Sequence, residues 1–209
     1  MYSGTHPVVR TRRSRSGFAR VATLCALAAF LAGCGNTGNS APAAQTPPAS
    51  PAGEAPAVDP DARLRELGIE LPDVAPPVAN YVKAVRVGNL LFLSGHGPCG
   101  ELTPDQIGKV GADLTIEQGA AAARATGICM LATLKSELGQ LSRVRRVVKV
   151  LGLVNGAPTF GDQPKVMNGF SDLMVEVFGD RGRHARTSVG AGSLPNNMAV
   201  EIEMIVEVE

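Results

Sequence analysis

The chain has 209 residues, 44% of them apolar and 19% charged, which fits one well-filled domain with length to spare and excludes a wholly disordered polymer. Aromatics are 4% and Trp is absent, so Val, Leu, Ile and Ala must build the core. The formal charge of +1 hides an asymmetry: Arg10, Arg12, Arg13, Arg15 and Arg20 stand in the first 34 residues without an acid, and the remainder carries a net of −4, a poor basis for electrostatic capture of RNA or DNA.

The basic stretch Arg10 to Arg20 is followed by a twelve-residue apolar region, Val21 to Ala32, that leads into Leu31–Ala32–Gly33–Cys34. A membrane-spanning helix needs about 18–20 such residues. Basic segment, short apolar segment and small residues before a cysteine are similar to a bacterial lipoprotein signal with its lipobox. Residues 1–33 are then a signal peptide, and Cys34 is the lipidation site and the protein's membrane contact. Gly35 rather than Asp follows it, which points to the outer membrane, facing the periplasm, where the cell has one. Residues 34–60 hold the lipidated Cys and a linker with six of the chain's fifteen Pro. This composition cannot bury enough surface to offset its ordering entropy, and Pro makes it an extended tether.

Residues 61–209 read as one α+β domain. Asp61 can cap a short helix, 62–67, closed by Gly68. Segments 81–87 and 90–94 alternate as strands around Gly88–Asn89, a hairpin signal. Thr115 with Gln118 forms a capping box at the head of a long helix whose apolar face runs Ile116, Ala120, Ala123, Gly127, Met130 or Leu131, Leu134 and Leu138. A strand over 147–154, a second helix over 165–178 ended by Gly179, a short strand over 185–190 and an alternating strand over 199–209 complete a β-β-α-β-α-β-β order. Hairpin and crossover connections together predict a mixed sheet. Two helices cover one face only, so the other must be polar or be buried by another copy.

Polar residues concentrate near the C-terminus. Arg186 and Ser188 share a strand face, and Glu201 lies near both if the last strand pairs directly with theirs. Such a pair either binds a carboxylate and orients a water, or is an ordinary cross-strand ion pair from Arg186 to Glu201 or Glu203. Cys129 reads as a free, buried helix residue, with a Cys99–Cys129 disulfide the alternative. No metal-ligand spacing is evident, and His6, His96 and His184 do not cluster.

YVKAVRVGNLLFLSGHGP, GKVGADLTIEQGAAAA, VMNGFSDLMVEVFG and HARTSVGAGSLPNNMAVEIE resemble the Rid/YjgF (endoribonuclease L-PSP) family across residues 61–209. The arginine-centred ARTSV…LP…VEIE segment is the most specific part. The opening RLRELGIELP (63–72) is similar to that of a less characterised branch of the family. The resemblance implies a chorismate-mutase-like fold and a homotrimer with an inner barrel, helices outside and active sites between subunits. It implies hydrolysis of 2-imino or 2-enamino acids to 2-oxo acids and ammonia, without metal or organic cofactor. Arg186 would anchor the substrate carboxylate, Glu201 would position the attacking water, and Ser188, Tyr81, Ser94 and Asn168 would line the site. A trimer that binds small carboxylates without turnover is the alternative, and RNA cleavage the third.

Overall fold

The computed structural model describes residues 58–209. The expected signal peptide, Cys34 and the expected linker up to residue 57 lie outside the described residues.

Helix α1 spans Pro60–Glu66 and is capped by Asp59, whose carboxylate accepts the Asp61 amide. The helix therefore starts earlier than the sequence suggests: Pro60 occupies the first turn, where its missing N–H costs nothing. Asp61, the expected cap, instead takes Lys135 Nζ at 2.8 Å and the Leu141 amide at 3.3 Å. Strands β1 (Ala84–Val87) and β2 (Leu90–His96) form the hairpin. Gly88 turns it in the left-handed region, φ 60°. Helix α2 (Ile116–Leu138) opens on the capping box of Thr115 and Gln118. Strand β3 (Val144–Asn155), helix α3 (Gln163–Phe178), strand β4 (Ala185–Ala191) and strand β5 (Val200–Val208) follow.

The five strands run in the order β1-β2-β5-β3-β4, with β3 and β4 parallel and the other neighbours antiparallel. The sheet is mixed, as hairpin and crossover connections require. On one face Val200, Ile202, Met204, Val206 and Val208 are all buried, the alternation seen in the sequence of the last strand. Val147, Val150 and Val154 join them from β3. Helices α2 and α3 cover this face with Met130, Leu131, Leu134, Phe170, Leu173 and Met174. The buried surface of α2 is wider than one stripe, because the helix meets α3 as well as the sheet. A Cβ placed on Gly127 would come within 2.8 Å of Leu173, and one on Gly169 within 2.0 Å of the Ala120 carbonyl oxygen. The small residues in both helices are therefore the condition of their close approach.

Among the described residues the other face carries no helix. Val85 and Phe92 are 52% and 40% exposed there. With Leu151 and Ile205 they line an open groove of about 310 Å³ across which Lys149 and Glu203 also reach.

Cys99 and Cys129 are joined by a disulfide, with Cα atoms 5.7 Å apart. The sequence favoured a free Cys129. Spacing along the chain could not reveal that the loop after β2 folds back onto the middle of α2, which brings the two residues together.

Candidate functional site

Arg186 and Ser188 alternate along β4 and point to the helix-covered face, as their register with buried Val150 and Gly152 dictates. The Arg186 guanidinium sits half-buried beside the first turns of α3. Its Nη1 donates to Asn168 Oδ1 at 3.0 Å and to Ser171 Oγ at 2.9 Å, and its Nη2 donates to the Pro164 carbonyl at 3.4 Å. Three of the five guanidinium N–H groups are thus held by neutral acceptors, and among the described residues no carboxylate pairs with Arg186. Its positive charge is oriented but not neutralised. Ser188 Oγ, next along the same face, is buried and has no hydrogen-bond partner among the described residues. A buried, unpaired hydroxyl costs about 1–3 kcal/mol unless something external satisfies it.

Glu201 is elsewhere. The expectation that β5 pairs directly with β4 fails: β3 lies between them, with Leu153 opposite Glu201 and Gly152 opposite Ser188. Glu201 also points to the opposite, helix-free face, since its neighbours Val200 and Ile202 point into the core. The cross-strand ion pair from Arg186 to Glu201 or Glu203 is excluded by the same geometry. Glu201 instead lies over Gly95, where a Cβ would stand 2.2 Å from its Oε1. The register of β2 against β5 shifts between Leu93 and His96, so Ser94 and Gly95 form a bulge beneath the carboxylate. Partial burial raises the Glu201 carboxyl above the ordinary carboxylate range, and neighbouring Glu203 adds to the rise.

Tyr81, Ser94 and Gly95 share a cavity of about 570 Å³ between the Pro72–Ala75 lead-in, the end of β2 and α2, with the Cys99–Cys129 bridge in its wall. Ser94 Oγ donates to the Lys83 carbonyl at 3.3 Å. His96 at the back is buried and bonded to the Ser94 carbonyl and Thr133 Oγ1. The sequence-derived residues therefore fall into two groups within one protomer. Arg186, Ser188 and Asn168 form a cationic half on the helix side of edge strand β4. Tyr81, Ser94 and Glu201 gather around the β2 bulge, Glu201 on the open face.

Two residues of the cationic half escaped the sequence reading. Ser171 lies one helical turn beyond Asn168 and so shares its face. His184 precedes Arg186 by two residues, and its Nε2 is 3.1 Å from Ser171 Oγ. Both spacings are visible in the sequence, but nothing there says that α3 packs beside β4. Among the described residues no group of three His, Cys, Asp or Glu side chains converges as a metal site.

A sequence profile described as "YjgF/chorismate_mutase-like, putative endoribonuclease" matches residues 61–208. Protein TCP17 of Trypanosoma cruzi is 45% identical over 147 residues, covering 70% of this chain and 92% of that protein. The crystal structure of Atu1372 from Agrobacterium tumefaciens, a protein of unknown function, is 42% identical with a TM-score of 0.65, covering 71% of this chain and 91% of that one. A "putative endoribonuclease" from Shewanella oneidensis is 34% identical with a TM-score of 0.68, covering 72% and 99%.

Proposed function

The chain belongs to the YjgF/chorismate mutase-like family, and from that membership we propose that it is a Rid-type hydrolase of 2-imino or 2-enamino acids. One observation carries the chemistry: Arg186 is held in place by neutral acceptors and keeps its charge for an external anion. Its remaining N–H groups suit a carboxylate, and the unpaired Ser188 hydroxyl beside it suits a second oxygen of the same ligand. Water attacks the imine carbon, and the Glu201 carboxylate takes the water proton as the C–O bond forms. Glu201 hands that proton to the imine nitrogen, completing the carbinolamine, and then carries the carbinolamine's hydroxyl proton to the same nitrogen as the C–N bond breaks, so that ammonia leaves and the C=O of the 2-oxo acid remains. Burial raises the Glu201 carboxyl, which makes it a better proton acceptor than an ordinary carboxylate.

Arg186 and Glu201 occupy opposite faces of one sheet, so they act on one molecule only if they come from different copies. We take the assembly to be a closed homotrimer, in which the open face of one protomer is covered by its neighbours. The exposed Val85 and Phe92 support this reading. We further propose that the mature protein is tethered to the cell envelope through a lipidated Cys34, facing the periplasm where an outer membrane exists.

The test is an imine-hydrolysis assay on the full chain beside Arg186→Ala. Loss of accelerated ammonia release by about 100-fold or more is expected, the scale of losing a charge-assisted anchor in a dry site. Undiminished activity would refute the assignment. Binding of 2-oxo acids by a wild type that hydrolyses no imine would select the non-catalytic carboxylate-binding reading.

A further inference from the structure

Arg186 is the head of a directional hydrogen-bond chain. The Gly182 carbonyl lies 2.7 Å from His184 Nδ1 and can only accept, so Nδ1 carries the proton in the neutral ring. Nε2 is then an acceptor. Ser171 Oγ, 3.1 Å away, receives an N–H from Arg186 Nη1 at 2.9 Å and therefore gives its own proton to His184 Nε2. Each group has one donor–acceptor assignment consistent with its neighbours. We propose that His184 is a positioning residue for Arg186, acting through Ser171: the neutral imidazole fixes the serine hydroxyl, and the serine oxygen fixes the guanidinium.

The surroundings favour the neutral ring. His184 is packed edge-on against Phe170, centroids 6.1 Å apart. The charged groups around it are Arg186 on β4, two residues on, Asp172 on α3 and Arg183 in the turn before β4, the last already bonded to Asp180. Burial lowers the imidazole below its usual range, the Gly182 carbonyl pulls it back, and the Arg186 charge lowers it further. The effect on ligand binding rests on the reading of Arg186 as a carboxylate anchor, whereas the chain of hydrogen bonds does not.

The experiment uses the full chain, pyruvate as probe, and imidazole NMR with the His184 signal identified by its loss in His184→Gln. The Nδ1–H tautomer is expected, and Arg186→Gln should raise the His184 titration by removing the guanidinium. His184→Phe keeps the packing but has no acceptor, and should weaken pyruvate binding about five- to tenfold, the order of one neutral hydrogen bond. His184→Gln supplies a replacement acceptor and should restore most of that loss. Ser171→Ala should cost about as much as His184→Phe, and the double variant no more than either, because both break one chain. An Nε2–H tautomer, a His184 titration unmoved by Arg186→Gln, or additive losses would overturn the proposal. If pyruvate binds but no imine is hydrolysed, the enzymatic reading fails and the relay is still decided by binding and NMR. If imines are hydrolysed with unchanged KM in both single variants, the relay fails and the enzymatic reading stands.

Discussion

Gly95→Ala separates the catalytic role of Glu201 from its structural one. Gly95 does not occupy the left-handed region, so alanine is compatible with the backbone there. The new methyl would lie 2.2 Å from Glu201 Oε1 and 3.1 Å from its Cδ, whereas a C···O contact settles near about 3.3 Å. The carboxylate must retreat by about 1 Å, and a displacement of that size at a reacting group costs on the order of 100-fold in rate. Stability should hardly move. An off-rotamer glutamate costs about 0.5–1.5 kcal/mol, and the alanine returns about 0.4–1 kcal/mol through the less flexible unfolded chain. The assay is kcat for imine hydrolysis beside urea unfolding. A folded Gly95→Ala enzyme with kcat within about twofold of wild type would mean that the carboxylate above the bulge is not the proton acceptor.

Gly169→Ala should do the reverse. Its methyl would stand 2.0 Å from the Ala120 carbonyl oxygen of the facing helix, with backbone on both sides and nowhere to rotate, so a loss of about 1–3 kcal/mol is expected in urea unfolding. The disulfide closes a 30-residue span, and reduction should lower stability by up to about 3–4 kcal/mol, read by unfolding with and without a thiol reductant. Burial lowers the imidazoles of both His96 and His184, so the folded chain binds fewer protons than the unfolded one. Stability should therefore fall as pH drops from about 6.5 through the lowered folded values, and chemical unfolding at a series of pH values measures it. Glu201 has the opposite sign: its raised carboxyl makes ionisation costly as pH climbs through the carboxylate range, so Glu201→Gln should raise Tm at neutral pH while abolishing turnover.

The elements were legible in the sequence because their signals are local. Thr115 and Gln118 announce the head of α2, Gly179 ends α3, and the alternation of Val200 to Val208 marks a half-buried strand. The cap of α1 was displaced by two residues because Asp59 and Asp61 are equally good caps, and only Pro60 between them decides. Strand order was not legible, since no local signal says that β3 rather than β5 pairs with β4. That one fact moves Glu201 away from Arg186. Period-two alternation sets the face within each strand, but comparing faces between strands needs the register. Asn168 and Arg186, eighteen residues apart, are named together by resemblance alone, and their side chains meet because α3 lays its first turns over the arginine of β4.

The central claim is that one molecule is held by Arg186 from one copy and attacked with the help of Glu201 from another. It is tested by co-expressing Arg186→Gln and Glu201→Gln chains with different tags and isolating the doubly tagged assemblies. In any mixed three-membered ring one junction unites an intact arginine with an intact glutamate, so about a third of the wild-type rate is expected from two parents that are each inactive. Doubly tagged assemblies as inactive as their parents would place both groups in one protomer's reaction and contradict the account.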